Sequence, residues 1–311
     1  MNEKIYDVLI IGGGPAGYSA ALYCTRAGFD TLVLEKLSAG GQMALTMQID
    51  NYPGFEDGID GFSLAEKMKK GAERFGAQTR LSEVLSVSLD GPVKTVETAE
   101  GIFKGRTVII AAGAVPRELG VPGEKELLGK GVGYCATCDG MFYRDKTVLV
   151  IGGGNTAAAD ALTLSRICKK VILVHRREEL RATKIYHRQL EETENISFCW
   201  NSTVSEFLYD KKLTGAKIHN IISGDDSVVE ADGAFISIGR KPASELFHGM
   251  IEMDPAGYIV ADESTRTNIP GVFAVGDIRT KAMRQVVTAV SDGATASHYV
   301  EEYLAGMNDA E

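Results

Sequence analysis

Two glycine-rich turns, each between an apolar strand and a helical pattern, constrain this chain more than any other feature. Asp7 to Ile11 runs into Gly12-Gly13-Gly14-Pro15-Ala16-Gly17, and Thr147 to Ile151 runs into Gly152-Gly153-Gly154-Asn155-Thr156-Ala157. In that context the first glycine permits a tight turn, the second lets backbone approach a pyrophosphate, and a small third residue packs helix on strand. Apolar spacing predicts a helix through Tyr18, Ala21, Leu22 and Thr25 that stops near Gly28, and another through Ala158, Leu162 and Leu164 to about Cys168. The strands Thr31 to Glu35 and Lys170 to His175 then close a βαβ unit in each case. The expected fold class is α/β, with two Rossmann-like dinucleotide-binding domains whose helix N-termini face phosphates.

A weaker echo shows how the two domains share the chain. Val108-Ile-Ile-Ala-Ala-Gly-Ala114 with Pro116 and Ala234-Phe-Ile-Ser-Ile-Gly-Arg240 with Pro242 are both strand exits through glycine to proline. If each exit closes its own unit, residues 116–242 form a domain inserted into a first domain made of 1–115 and 243–311. Pro116 and Pro242 are natural crossing points, because proline biases the residue before it away from helix. The first domain would end with a strand from Gly271 to Val275 and a helix from about Gln285 to Leu304. A length of 311 residues, 44% of them hydrophobic, is enough for about two cores.

Composition excludes some partners. A net charge of -9 opposes binding to a polyanion, so nucleic acid is not expected. No apolar stretch approaches about 18 residues and the start has no signal-peptide pattern, which leaves no membrane segment and a cytoplasmic default. Of the five cysteines, Cys24, Cys168 and Cys199 stand alone and read as buried small hydrophobes.

The residues that end the second strand of each unit differ. In the first, Glu35 is placed to accept hydrogen bonds from an adenosine ribose at the site of Gly12, Gly14, Pro15, Ala16 and Gly17. In the second, the strand ends in His175-Arg176-Arg177, with Arg181 further on, beside Gly152, Gly154, Asn155, Thr156 and Ala157. A carboxylate would repel a 2′-phosphate, whereas guanidinium groups bind it by charge-assisted, often bidentate bonds. This site is therefore expected to take NADPH in preference to NADH, the alternative being a solvated basic surface that includes Lys169, Lys170, Lys184 and Arg188.

Just upstream of the second turn lie Cys135-Ala-Thr-Cys138 and then Asp139. A structural zinc site needs four ligands, and no other cysteine or histidine pair supplies them. Ordinary packing is a second alternative. A redox dithiol fits better, since neighbouring groups can bring a thiol from about 8.5 toward neutrality, with Asp139 as a proton donor or acceptor beside it.

Taken together, GVGYCATCDGMFYRDKTVLVIGGGNTA, HRREELR, Gly40-Gly41-Gln42, Asn51-Tyr52-Pro53-Gly54 and the Gly276-Asp277 strand end resemble the low-molecular-weight thioredoxin reductases of bacteria over essentially the whole chain. The resemblance implies that the first site holds FAD without a covalent link. Gly41, Gln42, Asn51, Ala112, Gly113, Gly276, Asp277, Arg284 and Gln285 would join the glycine turn and Glu35 around it, with Asp277 on the ribityl chain. It implies that Cys138 lies against the flavin as the charge-transfer thiolate, that Cys135 exchanges with thioredoxin or a thioredoxin-like redoxin, and that Asp139 is the acid/base. It also implies a homodimer. The reaction expected is electron transfer from NADPH through FAD and the dithiol to the redoxin. The dithiol and the nicotinamide would take turns at one flavin by domain rotation about the crossings near Pro116 and Pro242.

Two departures from the family's pattern are present: Ala159-Asp160 stands where many members carry two acids, and Ala111-Ala112-Gly113 replaces Ala-Thr-Gly. Rival readings are a ferredoxin-driven reductase, a reductase of another redoxin, a dithiol oxidase, and a non-catalytic nucleotide-binding redox sensor. The arginine-rich strand end argues against the ferredoxin donor and the oxidase, and the dithiol argues against the sensor.

Overall fold

The computed structural model describes residues 4–46 and 48–308. It divides the chain into two compact units, one formed by Met1–Val115 with Lys241–Glu311 and the other by Pro116–Arg240. Among the described residues no helix is long and apolar enough to cross a membrane.

The first unit opens with strand β1 (Ile5–Ile11), helix α1 (Pro15–Arg26) and strand β2 (Thr31–Glu35). Pro15 occupies the first turn of α1, where its missing N–H costs nothing and its fixed φ suits the helix. Gly28 at φ +92° turns the chain out of the helix. Helix α2 (Gly61–Glu73) starts where the Asp60 side chain accepts the Ser63 N–H. Strands β3 (Gln78–Leu81), β4 (Val84–Ser88), β5 (Lys94–Thr98) and β6 (Gly101–Ile110) follow. The sheet order is β3-β2-β1-β6-β5-β4. The two ends of β6 are used differently. Its first half pairs antiparallel with β5, and Lys104–Ile110 pair parallel with β1.

The chain crosses at β7 (Ala114–Pro116) into the second unit, which starts with the short β8 (Val132–Gly133) and the single-turn helix α3 (Ala136–Asp139). Strand β9 (Thr147–Ile151), helix α4 (Asn155–Ser165) and strand β10 (Lys170–Val174) repeat the opening of the first unit. Helix α4 stops short of Cys168 because Asn195 supplies an N–H donor to the Ser165 and Cys168 carbonyls, which would otherwise need further turns or water. Helix α5 (Lys184–Glu191) and strand β11 (Ile196–Cys199) complete the edge. Strands β12 (Ser202–Tyr209), β13 (Leu213–Asn220) and β14 (Asp226–Glu230) form a separate antiparallel sheet, and β15 (Gly233–Ile236) returns to the centre. The main sheet, β11-β10-β9-β15-β8, is parallel throughout. Its strands are buried on both faces and so read as continuous apolar runs, TVLVI and GAFI among them.

The chain leaves through β16 (Arg240–Pro242), which is the strand neighbour of β7 in a two-stranded sheet. In the first unit, β17 (Val272–Ala274) then pairs parallel with the last residues of β6, and helix α6 (Val286–Asn308) closes the unit. Helix α6 meets α1 at Gly293, where a Cβ would lie 2.3 Å from the Ala16 carbonyl oxygen. No residue with a side chain permits that approach, and Ser19 Oγ adds a 2.7 Å bond to the Val290 carbonyl.

Candidate functional site

The two glycine turns have the same construction. Gly12 has φ +107°, and a Cβ there would lie 2.5 Å from the Ala111 carbonyl oxygen; Gly152 has φ +152°, and its Cβ would lie 2.4 Å from the Ser237 carbonyl oxygen. Both therefore need glycine for conformation and for the close passage of the strand that follows. The middle glycines sit over the end of the next strand, Gly13 over Glu35 and Gly153 over the His175 ring. The third glycines differ from these: around Gly14 and around Gly154 a Cβ would meet nothing within 4 Å. Open space beside an N-terminal helix cap, at a position that has no need of a positive φ, is what a phosphate-binding turn requires.

In the first unit the structure gathers the residues singled out in the sequence. Glu35 Oε2 accepts the Gly13 N–H at 2.7 Å, and Gly40 donates to the Gly13 carbonyl at 2.7 Å, so Gly41 and the exposed Gln42 lie beside the turn. Gly12 rests on Ala111 and Ala112, and Gly113 turns the chain away at φ +72°. Asn51 donates to Gln285 Oε1 at 3.1 Å across 234 positions of sequence. Gly276, at φ +74°, abuts Ala16, which together with Gly17 is buried in the helix packing, leaving only backbone to face a ligand. Arg284 lies with its guanidinium 4.0 Å above the Tyr258 ring and donates to the Asp277 and Arg279 carbonyls.

The loop 276–285 that carries Asp277, Arg284 and Gln285 is built around a residue that sequence reasoning missed. Asp292 on α6 accepts from the Gly276 N–H at 2.8 Å, from both Nε and Nη2 of Arg279 at 2.9 and 2.8 Å, and from Lys281 Nζ at 2.8 Å. All three side chains are less than a tenth exposed. Burial pushes the Asp292 carboxyl up, but Arg279 and Lys281 outweigh it and hold it below the ordinary carboxylate range. The available signal was one acid among the small and apolar residues that open α6, VVTAVSDGATA.

In the second unit the Arg181 and Ala182 N–H groups both donate to the Gly153 carbonyl, at 2.7 and 3.1 Å, and Asn155 Oδ1 accepts the Thr183 N–H at 2.8 Å. These bonds bring the arginine segment beside the glycine turn. Arg176, Arg177 and Arg181 are exposed, and among the described residues no carboxylate forms an ion pair with any of them. His175 is placed differently from its neighbours. It is 4% exposed, lies beneath Gly153 and packs edge-on to Trp200, so it supports the turn from below and does not face an anion. Burial first, then Arg181 and the other two arginines, hold its pKa below the ordinary value despite a bond to the Glu179 backbone. Ala157 is likewise fully buried, a packing residue of α4, whereas Thr156 is exposed at the helix start.

Cys135 and Cys138 form a disulfide with Cα atoms 5.3 Å apart. Cys135 caps α3, and its Sγ accepts the Cys138 N–H at 3.2 Å. The helical turn is held from below: Ala136 is buried in the core with Val148, Ala161 and Leu164, and a Cβ at Gly140 would approach Leu164 to 3.0 Å. Asp139 tucks against Gly133, and burial pushes its carboxyl above the ordinary range. Cys24 and Cys168 are buried, with burial driving their thiols up to about 12 and about 11, and Cys199 is half-buried and raised for the same reason. Cys135 and Cys138 are half-buried as Cys199 is, and what sets them apart among the described residues is that they are bonded to each other.

Two Rossmann-type units, each with an open glycine turn, and a half-buried Cys-x-x-Cys disulfide in the second unit define a dinucleotide-linked disulfide oxidoreductase. Sequence comparison agrees. The family model for pyridine nucleotide-disulphide oxidoreductases matches residues 6–293, and the chain belongs to that family. A thioredoxin reductase of Listeria monocytogenes is 45% identical over 310 residues, covering 99% of this chain and 97% of the relative. A bifunctional thioredoxin reductase/thioredoxin of Mycobacterium leprae is 44% identical over 306 residues, covering 98% of this chain and 67% of that longer protein. The crystal structure of a thioredoxin reductase from Streptococcus pyogenes superposes with a TM-score of 0.90 at 42% identity, covering 97% of this chain and 99% of the other.

Proposed function

We propose that the chain is an NADPH-dependent thioredoxin-disulfide reductase. The observation that carries this reading is the Cys135–Cys138 disulfide on a capped helical turn in the same unit as an open glycine turn flanked by exposed arginines. In the overall reaction NADPH and a proton give two electrons and two protons to the redoxin disulfide, leaving NADP⁺ and two redoxin thiols. FAD in the first unit would supply the two-electron relay between NADPH and the Cys135–Cys138 disulfide.

Residues of each unit have distinct tasks in this scheme. The open faces of Gly14 and Gly154 would admit pyrophosphate to the starts of α1 and α4, and Glu35, Asn51, Asp277, Arg284 and Gln285 would hold the flavin nucleotide. Arg176, Arg177 and Arg181 hold the 2′-phosphate of NADPH by charge-assisted bonds, each worth about 1.5–3 kcal/mol. In the reduced dithiol the Cys138 N–H stabilises a thiolate at Cys135, which supports Cys135 as the group that attacks the redoxin disulfide. Cys138 would then be the thiol that receives electrons from the flavin. Asp139, kept protonated to higher pH by burial, donates the proton that the leaving thiolate takes up. Exposed Met141 and Phe142 beside the dithiol give a protein partner an apolar foothold. The chain would act as a homodimer in the cytoplasm, and the dithiol and the nicotinamide would take turns at the flavin by rotation of the inserted unit.

An anaerobic NADPH titration followed by visible absorbance, with thioredoxin then added, tests this reading. The flavin should bleach with NADPH and recover its colour on addition of oxidised thioredoxin. A flavin that NADPH does not bleach, or that thioredoxin does not reoxidise, refutes the assignment. For the rotation, a cross-link that locks the two units should stop turnover with FAD still bound.

A further inference from the structure

Glu124 in the second unit is 1% exposed, and both of its carboxylate oxygens are occupied. Oε1 accepts the Leu119 N–H at 3.0 Å and the Tyr134 O–H at 2.7 Å; Oε2 accepts the Gly120 N–H at 2.7 Å and the Val121 N–H at 3.4 Å. A carboxylate this deep is tolerated only when its lone pairs are filled, and here every donor is neutral. The donors come from two places. Residues 119–121 lie just after the crossing at β7, and Tyr134 is the residue immediately before Cys135.

The strand leading to Tyr134 is short, and on the side away from β15 only Val132 is bonded, to the Leu127 carbonyl and the Gly129 N–H. Only Val132 and Gly133 pair with β15, a ladder of two residues. On the other side of Tyr134 the chain turns at once into the cap of α3. Burial, and then the bond to Glu124, push the Tyr134 phenol up, so it stays protonated and keeps donating throughout the useful pH range. The Tyr134 side chain is thus the tether between a two-residue strand and the first thiol.

We propose that Glu124 is a positioning residue for the redox-active pair: through the Tyr134 hydroxyl it fixes the backbone that carries Cys135, and so sets the balance between disulfide and dithiol. Forming the disulfide requires two sulfurs held at a defined separation, and a looser Cys135 gives the dithiol conformations that the disulfide lacks. Removing the tether therefore favours the dithiol. The proposal rests on the reading of Cys135–Cys138 as a redox pair, but not on the identity of the electron donor or the protein partner.

The test equilibrates the full-length protein in dithiothreitol redox buffers and counts alkylated Cys135 and Cys138 by mass spectrometry, a measurement that needs neither NADPH nor thioredoxin. Tyr134→Phe should reach half-reduction at a reductant-to-oxidant ratio about fivefold lower than the parent, the scale of one buried hydrogen bond. Glu124→Gln, whose NH2 group faces two donors whichever oxygen it replaces, Leu119 N–H with Tyr134 O–H or Gly120 N–H with Val121 N–H, should shift it in the same direction. Tyr143→Phe removes a phenol of the same unit that Glu124 does not hold, and should leave the ratio where it was. An unchanged ratio in Tyr134→Phe overturns the proposal, as does an equal shift in Tyr143→Phe, which would signify general loosening. If Glu124→Gln does not fold, the two tyrosine variants decide the matter alone. A failed thioredoxin assay with a shifted ratio would refute the reductase reading and leave the tether standing.

Discussion

In the first unit the strand that leads to Gly276 and Asp277, β17, arrives last in the chain; in the second the equivalent strand, β8, comes first. Each lies beside the strand that exits over the glycine turn, β6 or β15. Each leads into a segment singled out in the sequence, loop 276–285 in one case and the Cys135–Cys138 pair in the other. A place in a parallel sheet is thus set by what it borders, and chain order is free to vary. The anchors differ as well. Asp292 secures its loop with two buried cations, whereas Glu124 secures its strand with backbone N–H groups and a phenol.

The largest expected effect separates the tasks of the two units. Cys135→Ser and Cys138→Ser should each reduce thioredoxin turnover by about a thousandfold or more while NADPH still bleaches the flavin, because the exchange nucleophile or its partner is gone. Loss of bleaching would break the division of labour between the units.

Next comes the charged anchor. Asp292→Asn leaves Arg279 and Lys281 buried without a counter-ion and should cost about 3–5 kcal/mol in denaturant unfolding, with release of FAD. The pH dependence follows from the direction of the shift. A carboxyl held below its unfolded value contributes stability that is present above that unfolded value and is lost as pH falls through the folded one. Acid should therefore loosen loop 276–285 of the parent, and the Asp292→Asn variant should lack that step in its stability profile.

Third, Arg176→Ala with Arg181→Ala should raise KM for NADPH by at least about tenfold and hardly move KM for NADH. Equal changes would return these side chains to solvent. The smallest expected change is at the open glycines. Gly14→Ala and Gly154→Ala should alter the melting temperature of the ligand-free protein little, since the added methyl meets nothing, yet each should weaken its own nucleotide. Substitution of Gly12 or Gly152 should instead destabilise the protein itself.

Much of this was readable in the amino-acid string because it is local. The glycine turns, the Cys-x-x-Cys spacing and the arginines after β10 each need only a few consecutive residues and the strand before them. What escaped depends on distant partners. Nothing marks Glu124 among Glu118, Lys125 and Glu126 until Tyr134 folds over it, and Asp292 acquires meaning only when α6 brings it to Arg279. His175 reads as one of a basic run, but its packing beneath Gly153 and against Trp200 puts it inside. Strand β8, two residues long, has no periodicity to detect and exists only through its pairing with β15.

The paired crossings have a consequence for engineering. Arg117 donates to the Gly239 carbonyl on one side of the ribbon, and Ala243 donates to the Gly113 carbonyl on the other. The inserted segment therefore begins and ends at neighbouring points, like a cassette with adjoining ends. Its excision would leave a gap that a turn of a few residues can bridge.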